Sequence, residues 1–244
     1  MKRRSFIVSA AASGATTMLS APVLARFEPS KLRSPIVKGR PLKAPPGRRI
    51  NVAFAIAQGA NVMDIAGPWE VFQDVMIHGR GSSHDDMHPF RLFTVSGSTD
   101  PVTATGGLRI LPNFAAGDEP EPDIIVVPAL RGSPELHAWL REKSPATDVT
   151  MSVCTGAFQL GHAGLLDGRV ATTHHDFYED FENRFESVRL ERDVRFVENE
   201  VIATAGGLTS GIDLALRVVE RYFGREVAAA TADYMEHASD GWKV

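Results

Sequence analysis

A single cysteine stands among 244 residues, at position 154, in the stretch Thr150-Met-Ser-Val-Cys-Thr-Gly-Ala-Phe-Gln159. The apolar run before it, 149–153, reads as a strand. Residues 157–163 read as a helix, with Thr155 and Gly156 between the two. A sharp strand-to-helix turn presents a nucleophile above a sheet. A helix that starts directly after the sulfur aims free N–H groups and its positive dipole end at it, which favours thiolate over thiol. Cys154 is therefore read as a catalytic nucleophile, in preference to an inert buried thiol. With no second cysteine, the chain forms no internal disulfide.

The elements that must position this residue follow from pattern and punctuation. Residues 50–57 are a continuous apolar run, the mark of a parallel strand covered on both faces. Pro68 suits the first position of a helix, with Gly67 before it and Glu70 in its first turn, running to about residue 77. A polar loop spans 78–89. Strands are predicted at 90–96 and 123–128, with a hairpin around Gly106-Gly107. A helix is predicted at 134–143, and the helix after the elbow runs to about residue 166. A strand at 169–173, an amphipathic helix at 176–185, short strands at 188–190, 194–197 and 201–204, and helices at 208–223 and 225–237 complete the chain. Alternating strands and helices predict one α/β domain with a doubly wound, mostly parallel sheet. Ligands in such sheets sit beyond the carboxyl ends of the strands. Asp64, the segment Ala129, Leu130, Arg131 and Gly132, Cys154 and His174 all follow predicted strands and converge there.

The first 49 residues are different. Residues 1–25 carry Arg3 and Arg4, then a short apolar region, then small residues suited to cleavage after Ala25. This reads as a twin-arginine export signal, leading to the periplasm or the cell exterior with no membrane span after its removal. Residues 26–49 hold five prolines and eight Lys or Arg against one acid, Glu28. With few large apolar residues, this leader is expected to be flexible or extended and wrapped on the surface. The net charge is −4; the signal contributes +3 and the leader +7, so residues 50–244 carry −14. Such a domain is a poor partner for nucleic acid.

Three segments resemble the DJ-1/PfpI superfamily, in particular its isonitrile hydratases and the amidase-like domains of some AraC-type regulators. They are Asp64-Ile-Ala-Gly-Pro-Trp-Glu-Val-Phe72, Ser152-Val-Cys-Thr-Gly-Ala157 continuing through Gly164-Leu-Leu-Asp-Gly-Arg-Val-Ala-Thr-Thr-His-His175, and Thr204-Ala-Gly-Gly-Leu-Thr-Ser-Gly-Ile-Asp-Leu-Ala-Leu216. The resemblance implies a flavodoxin-like fold of the class I glutamine amidotransferase type, a cysteine at the elbow and a homodimer. Many members carry a Pro-Gly-Gly turn after the third strand; here it is Pro128-Ala-Leu-Arg-Gly132. Protease-like members carry histidine after the cysteine; here it is Thr155, which favours the hydratase branch.

The resemblance makes Asp64 the acid/base partner of Cys154, with Glu70 as a rival. A carboxyl beside a thiolate has its pKa raised by like charge and burial, so it can carry a proton at neutral pH. Thr155 is expected to hydrogen-bond substrate or the attacking water. Gly67, Glu70, Ala129, Leu130, Arg131, Gly132 and His174 are expected to line the substrate pocket. The implied reaction is hydration of a small isonitrile without a cofactor; glyoxal hydration, redox sensing and ligand binding alone are the alternatives. His84, Asp85, Asp86 and His88 are metal-ligand types at close spacing, but a loop this polar is read as solvated and no metal is expected. Gly206-Gly207 and Asp213 are read as a tight turn and a helix-start contact. No Gly-x-Gly-x-x-Gly follows the first strand, which argues against a dinucleotide.

Overall fold

The computed structural model describes residues 32–81 and 83–244, so the expected export signal and the start of the leader lie outside the described residues. Strands are numbered in chain order. One sheet of eight strands runs, edge to edge, β1 (Ile36–Val37), β11 (Phe196–Glu198), β12 (Ile202–Ala205), β8 (Val149–Val153), β7 (Ile124–Val127), β2 (Ile50–Ala55), β3 (Phe90–Ser96) and β6 (Phe114–Ala115). Every adjacent pair is parallel except β11 with β12. Two small ladders lie outside it: the antiparallel hairpin β4 (Val102–Thr103) with β5 (Arg109–Ile110), and parallel β9 (Val170–Ala171) with β10 (Arg189–Leu190).

The central strands are apolar throughout because both faces are covered. Val52, Phe54, Ile124, Val126 and Met151 join one buried cluster with Val71, Phe72, Leu214 and Val218. That layer contains α1 (Val62–Gln73), α6 (Ser210–Phe223) and α7 (Arg225–Tyr234). The alternate residues Ala53, Ala55, Ile125 and Val127 join a second cluster with Trp139, Leu140, Leu160 and Phe181. These come from α3 (Pro134–Lys143), α4 (Gly156–His162) and α5 (Tyr178–Arg184). The period-two alternation of side chains along β2 and β7 thus divides one hydrophobic run between two cores. The chain is a doubly wound α/β domain, as its pattern predicts, and a flavodoxin-like one, as the resemblance implies.

Several boundaries differ from the sequence reading, each for a local reason. Helix α1 begins six residues before Pro68. Asn61 caps it, its side chain accepting from the N–H groups of Met63 and Asp64 at 2.9 and 3.3 Å. Pro68 lies inside the helix, where it offers no N–H to the Asp64 carbonyl one turn back. Helix α4 ends at His162, four residues early, because Gly164 turns into the left-handed region at φ 75°. The strand predicted at 169–173 shrinks to β9 and leaves the main sheet. The 78–89 loop contains the short turn α2 (His84–Met87), capped by Ser83, whose own N–H donates to the Asp86 carboxylate at 3.0 Å.

The second half of the leader is extended on the surface, and it also joins the sheet. β1 pairs with β11 at the sheet edge. The Arg221 guanidinium donates to the Arg40 carbonyl at 2.9 Å, and the Leu42 N–H donates to the Arg221 carbonyl at 2.8 Å. Arg221 also donates to fully buried Glu198 at 2.8 Å, joined there by Arg217 at 3.1 Å. Among the described residues, no helix is long and apolar enough to cross a membrane.

Candidate active site

Cys154 follows the carboxyl end of β8 with φ 59°, a left-handed conformation that is strained for any residue with a Cβ. The fold holds it there from both sides. Its N–H donates to the Gly206 carbonyl at 2.8 Å, and its carbonyl accepts from the Thr173 hydroxyl at 2.9 Å. Gly156 completes the turn. A Cβ at that position would stand 2.1 Å from the Val127 carbonyl oxygen, so the tight elbow requires glycine. The thiol is 7% exposed. The N–H groups of Thr155 and Leu208, together with the Thr155 hydroxyl, lie near enough to the sulfur to lower its pKa.

Asp64 sits in the first turn of α1, beyond the carboxyl end of β2, with no exposed surface. One carboxyl oxygen, Oδ2, accepts from the Ala129 N–H at 3.0 Å. The other, Oδ1, is buried and has no protein partner among the described residues. Burial raises its pKa to about 6, against the lowering effect of the Ala129 bond. Burial also pushes the Cys154 thiol up, and the nearby Asp64 charge adds to this. The Thr155 and Leu208 donors pull the other way and lose, leaving the thiol at about 12. The resting pair at neutral pH is therefore a thiol beside a carboxylate. Burial and the Asp64 charge thus outweigh the donors around the sulfur, against the expectation that the helix start favours a standing thiolate.

The remaining candidates separate. Thr155 is half-buried and adjoins the sulfur. Ala129 reaches Asp64, but the rest of its turn is otherwise engaged: the Arg131 N–H donates to the Gln58 carbonyl at 3.0 Å, and the Leu130 carbonyl accepts from Gln159 at 3.3 Å. Gly132 lies against Gln159, and the Arg131 side chain is exposed. Gly67 faces Ile212 in the contact between α1 and α6. Glu70 is exposed on α1, so of the two rival carboxyls only Asp64 is buried. His174 packs against Gly207, where a Cβ would stand 2.3 Å from its ring. Its Nδ1 accepts from the Asp176 N–H at 3.2 Å, which assigns the proton to Nε2, and burial holds its pKa below the usual histidine value. His174, His175 and Asp176 bring three ligand-type atoms within 4.8 Å of one another, and the Asp176 N–H donates to His174 Nδ1.

Two functional contacts escape the sequence reading. Leu208, at φ 41°, contributes a backbone N–H that lowers the pKa of the thiol. The Gly206-Gly207 turn, read as purely structural, is what delivers this donor. Thr173 grips the elbow from the end of the β9 segment. Neighbouring Thr172 is itself fixed, its N–H donating to the Thr204 hydroxyl at 2.8 Å. Beside Thr155 opens a groove of about 240 Å³ lined by Phe158, Gln159, His162, Phe177 and Arg184 among others, room for a small organic group.

An elbow cysteine, a buried carboxyl from the first helix and donors from a Gly-Gly loop define a recognisable site. A profile of the DJ-1/PfpI family matches residues 50–221. The chain belongs to the DJ-1/PfpI family. It is 29% identical over 198 residues to an isonitrile hydratase of Pseudomonas putida, covering 78% of this chain and 79% of that protein. It is 30% identical over 156 residues to the HTH-type transcriptional regulator CdhR of Pseudomonas aeruginosa, covering 62% of this chain but only 45% of the regulator. Among solved structures, a THiJ/PfpI family protein from Pseudomonas syringae superposes with a TM-score of 0.67 at 24% identity, covering 79% of this chain and 76% of that one. That likeness concerns the fold.

Proposed function

We propose that this DJ-1/PfpI protein is a cysteine-dependent enzyme that hydrates a small isonitrile to an N-substituted formamide. The observation that carries the reading is the pairing of the elbow thiol with a buried carboxyl whose pKa lies at about 6. A group poised near neutrality can take and return one proton within a turnover. The similarity to an isonitrile hydratase supplies the substrate class.

In the first step Asp64 takes the Cys154 proton. The sulfur bonds to the terminal isonitrile carbon, and Asp64 returns the proton to that carbon, giving a thioimidate. In the second, the water oxygen bonds to the same carbon as Asp64 takes a proton from the water and passes it to the nitrogen, which leaves Asp64 ionised again. The C–S bond then breaks, the new hydroxyl loses its proton by way of Asp64 to the departing sulfur, and the formamide leaves. One isonitrile and one water give one formamide. The Thr155 and Leu208 N–H groups stabilise the sulfur while it is charged. The site is read as acting outside the cytoplasm in a homodimer, as the export signal and the family resemblance suggest.

The test is formamide production from an alkyl isonitrile by wild type, Cys154→Ala and Asp64→Asn. Turnover in the wild type alone, with both variants down by about a thousandfold or more, supports the reading. An inactive, folded wild type overturns it and favours ligand binding, the role open to a domain shared with regulators.

A further inference from the structure

We propose a second ligand site, for a small dianion, in a cleft of about 630 Å³ between the docked leader and the C-terminal tail. Arg33, Arg195, His237 and Lys243 line it, with the hydroxyls of Thr209 and Ser239 among them. In residues 50–244, which carry −14, Arg195, His237 and Lys243 around one cleft stand against the overall charge, and Arg33 joins them from the basic leader.

Three of these groups are oriented from behind by one carboxylate. Asp213 has no exposed surface. Arg195 Nε and the Ser239 hydroxyl donate to its Oδ2, and His237 Nε2 donates to Oδ1 at 2.8 Å. That arrangement occupies one edge of the Arg195 fork. Among the described residues, its two terminal nitrogens make only long contacts, 3.3 Å each, to the Thr209 hydroxyl. A fork held along one edge, with donors left on the other, suits a carboxylate or phosphate. The acid on the rim, Asp240, is paired with Lys243, both substantially exposed, and Arg33 is paired with Glu191. The Lys243–Asp240 pair is exposed on both sides and contributes little, so Lys243 can exchange its partner for a ligand, while Arg33, which also donates to the Arg192 carbonyl at 2.6 Å, is held at the cleft wall by largely buried Glu191. The cleft also adjoins the thiol's support: the Gly206 N–H donates to the Arg195 carbonyl, and Thr209 follows Leu208 in the chain.

The experiment is calorimetric titration of the chain from residue 26 onward with inorganic phosphate and, separately, with succinate. The double variant Arg33→Gln/Lys243→Gln leaves every Asp213 contact intact and is the variant expected to keep its fold. Arg195→Lys retains the charge beside Asp213 but removes the fork, and melting curves report whether it folds. Saturable binding of one dianion per chain, weakened about fivefold or more in the double variant and further in Arg195→Lys, supports the site. Response to phosphate alone or to succinate alone assigns the class of dianion. No saturable binding of either probe, or binding unchanged in the folded double variant, overturns the proposal. Isonitrile turnover plays no part in this readout, so the proposal stands or falls separately from the hydratase reading.

Discussion

Asp64 sets the chemistry of the site through the cost of its burial. Its carboxyl is easier to protonate folded than unfolded, its pKa rising from 3.8 to about 6. The stability this contributes is fully present below pH 3.8 and is lost as pH rises through about 6. At pH 7.5 the native state therefore carries an ionised, half-satisfied carboxylate. We predict that Asp64→Asn melts higher than wild type at pH 7.5, by roughly 2–3 kcal/mol from the size of the shift, and that the margin closes toward pH 4. In the wild type, kcat/KM should fall as pH drops through about 6, where Asp64 takes a proton and can no longer accept one from the thiol. A flat profile across that range, or a less stable Asp64→Asn at pH 7.5, contradicts this account of the residue. The residue type and the upward direction of its pKa were legible in the sequence; the value of about 6, which leaves it ionised at neutral pH, was not, because it depends on burial around α1 and on the Ala129 turn 65 residues later.

At the scale of elements, the elbow is a strained turn gripped by its neighbours. The left-handed backbone at Cys154 persists because Gly206 and Thr173 hold its two peptide groups. Thr173→Val removes one of these bonds and leaves the buried Cys154 carbonyl without that donor. The expected result is a kcat lower by roughly tenfold, from about 1–1.5 kcal/mol of lost positioning, with KM little changed. Thr173→Ser should restore most of it, and a Val variant as active as wild type would show that the grip is dispensable. Helix α3 and strand β3 were legible to the residue because Pro134 and a bounded apolar run mark them. The start of α1 was not. Pro68 resembles a helix start, and only the Asn61 cap, a single side chain, marks the true one. Thr173 and Leu208 were hidden because their contributions run through a hydroxyl-to-carbonyl bond and a backbone N–H, which no residue type advertises.

For the molecule as a whole, alternating elements disclosed the fold and placed Asp64, Ala129 and Cys154 at one end of the sheet. The leader was legible only in part. Its composition rules out a core of its own, but Ile36 and Val37 find one in the sheet edge, and Arg221 ties the following residues to Glu198. A chain beginning at residue 50 should be less stable than one beginning at residue 26, on the order of 2–4 kcal/mol from several hydrogen bonds at about 1 kcal/mol each. Equal chemical denaturation midpoints and slopes for the two chains would show that the leader only rests on the surface.

The central claim is that Cys154 bonds directly to the isonitrile carbon while Asp64 moves the proton. Its most direct test is intact-protein mass spectrometry after rapid acid quench of the protein mixed with an alkyl isonitrile. The account predicts a transient adduct on Cys154 of the mass of one whole isonitrile, decaying as formamide appears, and absent from Cys154→Ala. Formamide release with no such adduct at any time, or an adduct that forms equally well in Cys154→Ala, would contradict it.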